Sequence, residues 1–350
     1  MGAQRIFVLA AALSAIIGMA PADAQAPWPG KLESYKDWTI GCDNRGRCEA
    51  VSLLPEGGDW PDVPVMMGIA RDAGGAADPE IWLSREGKGR EDLIFLVDGR
   101  KIAGASSVQG EATLQGPQAS ALALAMARGS ILEVKAGAKL IGRPSLAGIA
   151  AALRYMDARQ GRAGTQAALV ATGALARSAV RSAPPPLSIR RAAVPVGPAP
   201  VTLWREELTA LGTFTDCADE MRDASAPELH RLSRTETLVL VPCGAGAYNF
   251  SSVPVIATGV PGRRTFRFAS FDYQPGWSED AAHPMLVNAD WSAENATLQS
   301  YAKGRGLGDC GGSETYVWDG QRFRLSEASA MGECRGSWHW ITTWSAKVVD

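Results

Sequence analysis

Six cysteines in three near pairs constrain this chain more than any other feature: Cys42 and Cys48, Cys217 and Cys243, Cys310 and Cys334. Their weight comes from what stands ahead of them. Met1 opens a short segment carrying Arg5, an apolar run follows from Ile6 to Met19, and Ala24-Gln25-Ala26 reads as an A-x-A cleavage site. This is the pattern of a secretory signal peptide over residues 1–26, cut after Ala26 or, as the alternative, after Ala24. The apolar run is too short, and too soon broken by Pro21 and Asp23, to cross a membrane. No later segment approaches the needed length, so the expectation is a periplasmic or secreted protein without a transmembrane segment in the mature chain.

In an oxidising compartment cysteines pair. Six of them allow many connectivities. The sequence-local pairing, Cys42–Cys48, Cys217–Cys243 and Cys310–Cys334, is preferred because it keeps each pair within one domain. In the loop-entropy argument the first ring contributes roughly 2.4 kcal/mol and the second roughly 3.6. A metal or redox centre fits poorly: there is no C-x-x-C, and the spacings are wide.

The best boundary is residues 182–200, where six prolines oppose helix interior and central strand and favour extended chain. It separates an N-terminal β-rich domain, 27–181, from a tryptophan-rich β domain, 201–350. In the first, strands are expected at 35–42 and 47–51 around a turn at 43–46, clamped by Cys42 and Cys48. Further strands fit 65–71, 81–84, 93–97, 111–114 and 131–135, with Asp98-Gly99 as a hairpin turn and a short helix at 122–128. The clearest helix lies within 145–165. Ser145 is its expected N-cap, Leu146, Ile149, Ala150, Leu153 and Met156 recur on one face, and Gly161 is its stop. Residues 166–176 fit a strand or a helix equally.

In the second domain a helix is expected at 203–211, capped by Thr202, and a helical turn at 216–221. Strands are expected at 236–241, 248–257, 265–273, 285–288, 314–318, 322–325 and 338–349. Asp319-Gly320 is a hairpin turn, and 291–301 is expected to hold a helix. The fold class is therefore mainly β, a β-rich α+β chain of two disulfide-stapled antiparallel domains, the first closed by an amphipathic helix.

Two groups of residues suggest a site. Arg154, Asp157, Arg159, Gln160 and Arg162 gather at the end of the 145–165 helix. Charge on a solvated helix face is the ordinary explanation, helped by the macrodipole. The sharper one is that two guanidinium forks and an amide grip a carboxylate, a phosphate or a sugar. Trp338, Trp340 and Trp344 share parity, so a regular strand would set them in a row able to stack sugars; core packing is the competing reading.

Motifs that mimic catalysis carry little. Gly306-x-Gly308-x-x-Gly311 matches the dinucleotide fingerprint, but Cys310 sits inside it and a strand is expected to follow. Ser300-x-x-Lys303 lacks the partner motifs of penicillin-recognising enzymes. Cys243-Gly244-Ala245-Gly246 has a disulfide partner in Cys217. The three histidines, His230, His283 and His339, lie outside metal-ligand spacing of one another. Glu206-Glu207 and Glu279-Asp280 look like solvated charges. No cofactor or metal is expected, and an enzyme is disfavoured without excluding a carboxylate-based hydrolase. The formal net charge of −2 gives no basic footprint for nucleic acid.

Asp37-Trp38-x-x-x-Cys42, the second cysteine soon after it, and Ser145-Leu146-x-Gly148 late in the N-terminal half resemble the invasion-associated locus B family of secreted bacterial proteins. A more specific set resembles the exported proteobacterial family called domain of unknown function 1176, across nearly the whole mature chain. It comprises Cys42-Asp43-Asn44, Leu153-Arg154-Tyr155-Met156-Asp157-x-Arg159-Gln160-Gly161-Arg162-Ala163-Gly164-Thr165 and Lys303-Gly304-Arg305-Gly306-Leu307-Gly308-Asp309-Cys310. The resemblance implies an extracytoplasmic protein and supplies no activity. The functional expectation is a non-enzymatic binding module for an envelope component, a glycan or a periplasmic protein. The alternatives are a cell-wall or glycan-directed hydrolase and an inhibitor of an exported hydrolase.

Overall fold

A computed structural model describes residues 26–58, 64–195, 197, 200–223, 226–278 and 282–350. Nearly all of the expected signal segment, and Glu279-Asp280, lie outside them. All three disulfides join the sequence-local partners, and the chain is mainly antiparallel β.

The N-terminal half builds two sheets. The larger runs in the order Glu33–Tyr35, Trp38–Cys42, Cys48–Ser52, Val65–Arg71, Glu80–Arg85, Ala112–Leu114. The smaller runs Lys139–Gly142, Leu132–Ala136, Arg90–Val97, Arg100–Val108. Alternation does the sorting: Leu93, Phe95 and Val97 point inward, while Ile94 and Leu96 between them are only partly covered. Trp38, Ile40, Met67, Ile69 and Phe95 meet Leu122, Met126, Leu153 and Met156 from two helices in one core. An aromatic such as Trp38, wholly buried, removes roughly 150–250 Å² from water. Cys42 and Cys48 face each other in register across a turn in which Gly46 takes φ +78°.

Both helices begin elsewhere than the sequence suggests. The first spans Gly116–Arg128, six residues longer at its start, because Pro117 suits a first helical turn. The second is Ile149–Arg159. Ser145 is not its cap. Gly148 takes that position at φ +99°, where a Cβ would fall 1.7 Å from Tyr35 O. Ser145 instead donates to Asp37 Oδ2 at 2.6 Å, and its carbonyl accepts from Trp38 Nε1 at 2.8 Å. The two motif fragments, 108 residues apart for Asp37 and Ser145, touch each other. Residues 166–176 are neither strand nor helix, but turns wound about the helix end.

The C-terminal half holds two more antiparallel sheets. One pairs Glu228–Arg231, Glu236–Ala245, Phe250–Thr258 and Thr265–Phe268, with Leu286–Val287 beside the third of these. The other runs Asp290–Ser292, Thr297–Lys303, Gly311–Trp318, Phe323–Met331, Ile341–Ser345. The helix expected within 291–301 is a hairpin instead. Alternation in Thr297–Lys303 favours strand, and Ala296 at φ +48° turns the chain. The first helix of this half is Arg205–Thr215, four residues beyond its expected end. Glu207 is not a solvated charge. It pairs with Arg264 at 3.0 Å, both side chains 5% exposed, and accepts from the Trp204, Gly262 and Arg264 amides. The proline segment is docked: Ser188–Arg190 pairs in parallel with Lys347–Val349, and Ile189 is buried.

The halves meet along Cys48–Ser52 and Ile341–Ser345. Val51, Leu53, Cys310, Met331 and Ile341 form a small shared core. Arg335 fastens it, donating Nε to Leu54 O at 2.8 Å and Nη1 to Lys36 O at 2.7 Å, and pairing through Nη2 with Asp37. Asn44 exchanges two hydrogen bonds with the Ser345 backbone.

Candidate functional site

The charged end of the Ile149–Arg159 helix divides into two parts. Arg154 and Arg159 are exposed. Asp157, Gln160 and Arg162 are buried, and each is spent on backbone. Asp157 accepts from the Leu169, Val170 and Ala171 amides at 2.8–2.9 Å, which holds the 166–176 loop. Gln160 donates to Gly46 O at 2.8 Å and Arg71 O at 2.7 Å. Arg162 donates Nε to Gln160 Oε1 at 2.8 Å and Nη2 to Asp72 O and Gly74 O at 2.9 and 2.5 Å. Burial pushes Arg71 down to about 10, the Arg162 charge adding to it and Asp157 opposing; both guanidiniums stay charged at neutral pH. The group locks the Cys42–Cys48 hairpin to the helix, and only Arg154 and Arg159 face outward.

The tryptophans divide as well. Trp344 is core, its Nε1 donating to Leu325 O at 3.1 Å. Trp338 and Trp340 precede the strand that starts at Ile341, so no regular row of three forms. These two instead edge a cleft of about 320 Å³ on the outward face of the five-stranded sheet. Register builds its floor: Gln299, Thr315 and Glu327 are cross-strand neighbours in one row, and Tyr301, Ser313 and Ser329 form the next. The Trp340 ring stacks on Tyr301 with centroids 4.7 Å apart and planes 11° apart. Trp338 is 44% exposed, its Nε1 held by Leu307 O at 3.1 Å.

The glycine-rich loop before Cys310 positions these rings, as its sequence alone did not reveal. Gly311 opens a strand, not a helix, which removes the dinucleotide reading. At φ +143° a Cβ on Gly311 would fall 2.0 Å from Ala302 O and 2.8 Å from the Trp340 ring. The Cys310–Cys334 bridge ties the loop to the segment leading into Trp338. Asp309, wholly buried, reinforces it by accepting from Arg305 Nε and the Gly336 amide, both at 2.7 Å. Burial raises the Asp309 carboxyl, but those donors outweigh it and hold it below the usual range.

Among the described residues no three His, Cys, Asp or Glu side chains are grouped to hold a metal ion, and no helix is long and apolar enough to cross a membrane. His339 lies against Trp82, ring centroids 4.4 Å apart, and 3.0 Å from Glu49.

The molecule is thus of the class of disulfide-stapled proteins made of paired antiparallel β halves, with an aromatic-edged polar cleft on the second half. It belongs to the family described as protein of unknown function (DUF1176), which matches residues 32–347. It is similar to YpfG of Escherichia coli (strain K12), described as an uncharacterized protein, at 27% identity over 343 residues, covering 89% of this chain and 92% of that one. Among solved structures it is similar to invasion associated protein b from Bartonella henselae, at 15% identity and a TM-score of 0.28, covering 37% of this chain and 99% of that one.

Proposed function

We propose that this chain is an exported, non-enzymatic binding module and that the Trp338–Trp340 cleft takes an envelope saccharide. The observation that carries the reading is the pairing of aromatic faces with a hydrogen-bonding floor. A sugar ring presents an apolar C–H face and a rim of hydroxyls. Trp338 offers an exposed ring, Tyr301 braces Trp340, and Gln299, Ser313, Thr315 and Ser329 supply neutral donors and acceptors. Among the described residues Glu327 is the one charged group lining the cleft, which favours an uncharged or amino sugar over an acidic one. A glycosidase needs two facing carboxylates; among the described residues the cleft lining offers one, which supports binding over hydrolysis. Three disulfides and the leader-like N-terminal sequence support export.

Titrating the protein with neutral glucan oligosaccharides and with soluble N-acetylglucosamine-containing cell-wall fragments, read by tryptophan fluorescence, tests the proposal. Binding by the wild type should weaken by about tenfold in Trp338→Ala and in Trp340→Ala, the loss of one stacking contact. Unchanged affinity in both variants, or no binding to any member of the series, sinks it.

A further inference from the structure

The opposite face of the same five-stranded sheet is core, and one residue on it breaks the pattern. Leu298, Tyr316, Leu325 and Ala328 are buried there. Glu314 lies among them, in register between Ser300 on one neighbouring strand and Ala328 on the other. An inward carboxylate is costly unless its charge is compensated. Among the described residues Glu314 makes no ion pair; the Gly276 amide and the Ser300 hydroxyl are the neighbouring donors that favour its charged form. A carboxylate has about four acceptor positions, so two neighbouring donors leave room for a further partner.

That carboxylate faces a cavity of about 490 Å³, with Trp28, Lys31, Tyr273 and Gly312 among its walls. A glycine keeps the approach open: a Cβ at Gly276 would come within 3.0 Å of Glu314 Oε1. The 28–31 segment is fixed beside the cavity: the Gly30 amide donates to Thr343 O at 2.9 Å, and a Cβ there would fall 1.9 Å from Cys42 O.

We propose that this cavity is a second ligand site, one that takes a small organic ammonium, with Glu314 as its counter-ion and the rings of Trp28 and Tyr273 as its aromatic walls. A cation between a desolvated carboxylate and aromatic faces gains from both the charge and the ring quadrupoles. The titratable groups around Glu314 are Tyr273 and Tyr316, with Asp272 near Tyr316 and Lys31 at the mouth. Lys31 is exposed, so solvent and salt screen its repulsion. Burial pushes the Glu314 carboxyl up to about 7. At neutral pH the empty site is therefore roughly half protonated, and an arriving cation displaces the proton. The site lies on the other side of the sheet from the saccharide cleft and stands or falls without it.

The test is calorimetric titration of the full chain with phenethylammonium and with tetramethylammonium at pH 6, 7 and 8, in two buffers of different ionisation enthalpy. 2-Phenylethanol serves as the uncharged control. The ammonium compounds should bind, with affinity rising about tenfold from pH 6 to pH 8 as Glu314 ionises and with proton release to the buffer. Glu314→Gln should lose at least about tenfold in affinity while melting no lower than wild type. Trp28→Ala, at a side chain 75% exposed, should fold normally and weaken binding severalfold, and it decides the matter if Glu314→Gln does not fold. Equal binding of 2-phenylethanol, unchanged affinity in Glu314→Gln or in Trp28→Ala, or no binding of either cation at millimolar concentration overturns the proposal.

Discussion

Arg162→Ala should destabilise the protein by about 3–4 kcal/mol, whereas Arg159→Ala, three residues away, should change almost nothing. The wholly buried Arg162 guanidinium donates three hydrogen bonds, to Gln160, Asp72 and Gly74. Bonds to a charged group contribute about 1.5–3 kcal/mol each, so the gross loss is roughly 4.5–9 kcal/mol. Two effects offset it. Arg162 Nη1 is buried without a partner, and the charge repels Arg71; alanine relieves both. The net figure falls near the roughly 3–5 kcal/mol seen when one partner of a buried charged group is removed. At roughly 2–4 °C per kcal/mol for a chain of this size class, the melting temperature should drop by about 10 °C. Differential scanning calorimetry with urea unfolding at pH 7 measures it. Arg162→Lys should recover less than half, because an ammonium cannot reproduce the fork. Arg159 is exposed, and its alanine variant should stay within about 0.5 kcal/mol. A loss below about 1 kcal/mol in Arg162→Ala, or equal losses in the two variants, would refute the assignment of Arg162 to holding the backbone.

Other perturbations test other joints. Arg335→Ala removes two backbone contacts and the Asp37 pair across the halves. It should cost about 2–3 kcal/mol and speed limited proteolysis at their junction; proteolysis at the wild-type rate would count against that clamp. Glu207→Gln leaves Arg264 buried without its counter-charge, and urea unfolding should show a loss of roughly 3 kcal/mol. In Glu49, Glu207 and Asp309 burial pushes the carboxyl up, but His339 and Trp82, the Trp204 amide with Arg264, and Arg305 with the Gly336 amide respectively outweigh it. Their folded-state values lie below the unfolded ones, so this stabilisation is present above about pH 4.5 and is lost as pH falls through the lowered values. Melting temperatures below pH 4.5 should fall less steeply in Glu49→Gln than in wild type. Glu314 has the opposite sign. Burial raises it from 4.5 to about 7, so stability present below about pH 4.5 is lost as pH climbs to 7, on the order of 3 kcal/mol in all. Glu314→Gln should flatten that interval in a pH series of melting curves.

The parts of the fold written in short stretches were legible. Asp43–Gly46 and Asp98-Gly99 turn their strands because their own backbone requires it, with Gly46 and Gly99 at φ +78° and +77°. The local disulfide pairing, the mainly β class and the apolar stripe of Ile149, Leu153 and Met156 follow from equally near neighbours. Family membership was legible in the Cys42-Asp43-Asn44, Leu153–Thr165 and Lys303–Cys310 motifs, although what those residues do in the fold was not.

Tertiary structure alone decided what the polar residues do. Ser145 looks like a cap until Asp37 and Trp38 arrive beside it. Glu207 looks solvated until Arg264 covers it. Arg162 and Arg159 have the same local chemistry, yet one is wholly buried and the other exposed. Trp338, Trp340 and Trp344 share parity, yet the strand begins at Ile341 and sends only the last into the core. Hydrophobic periodicity and turn geometry are fixed by residues within a few positions, so sequence carries them. The partner of a hydroxyl, a carboxylate or a guanidinium is chosen by elements tens to hundreds of residues away. Its protonation and its availability to a ligand therefore become determined only once the chain has closed.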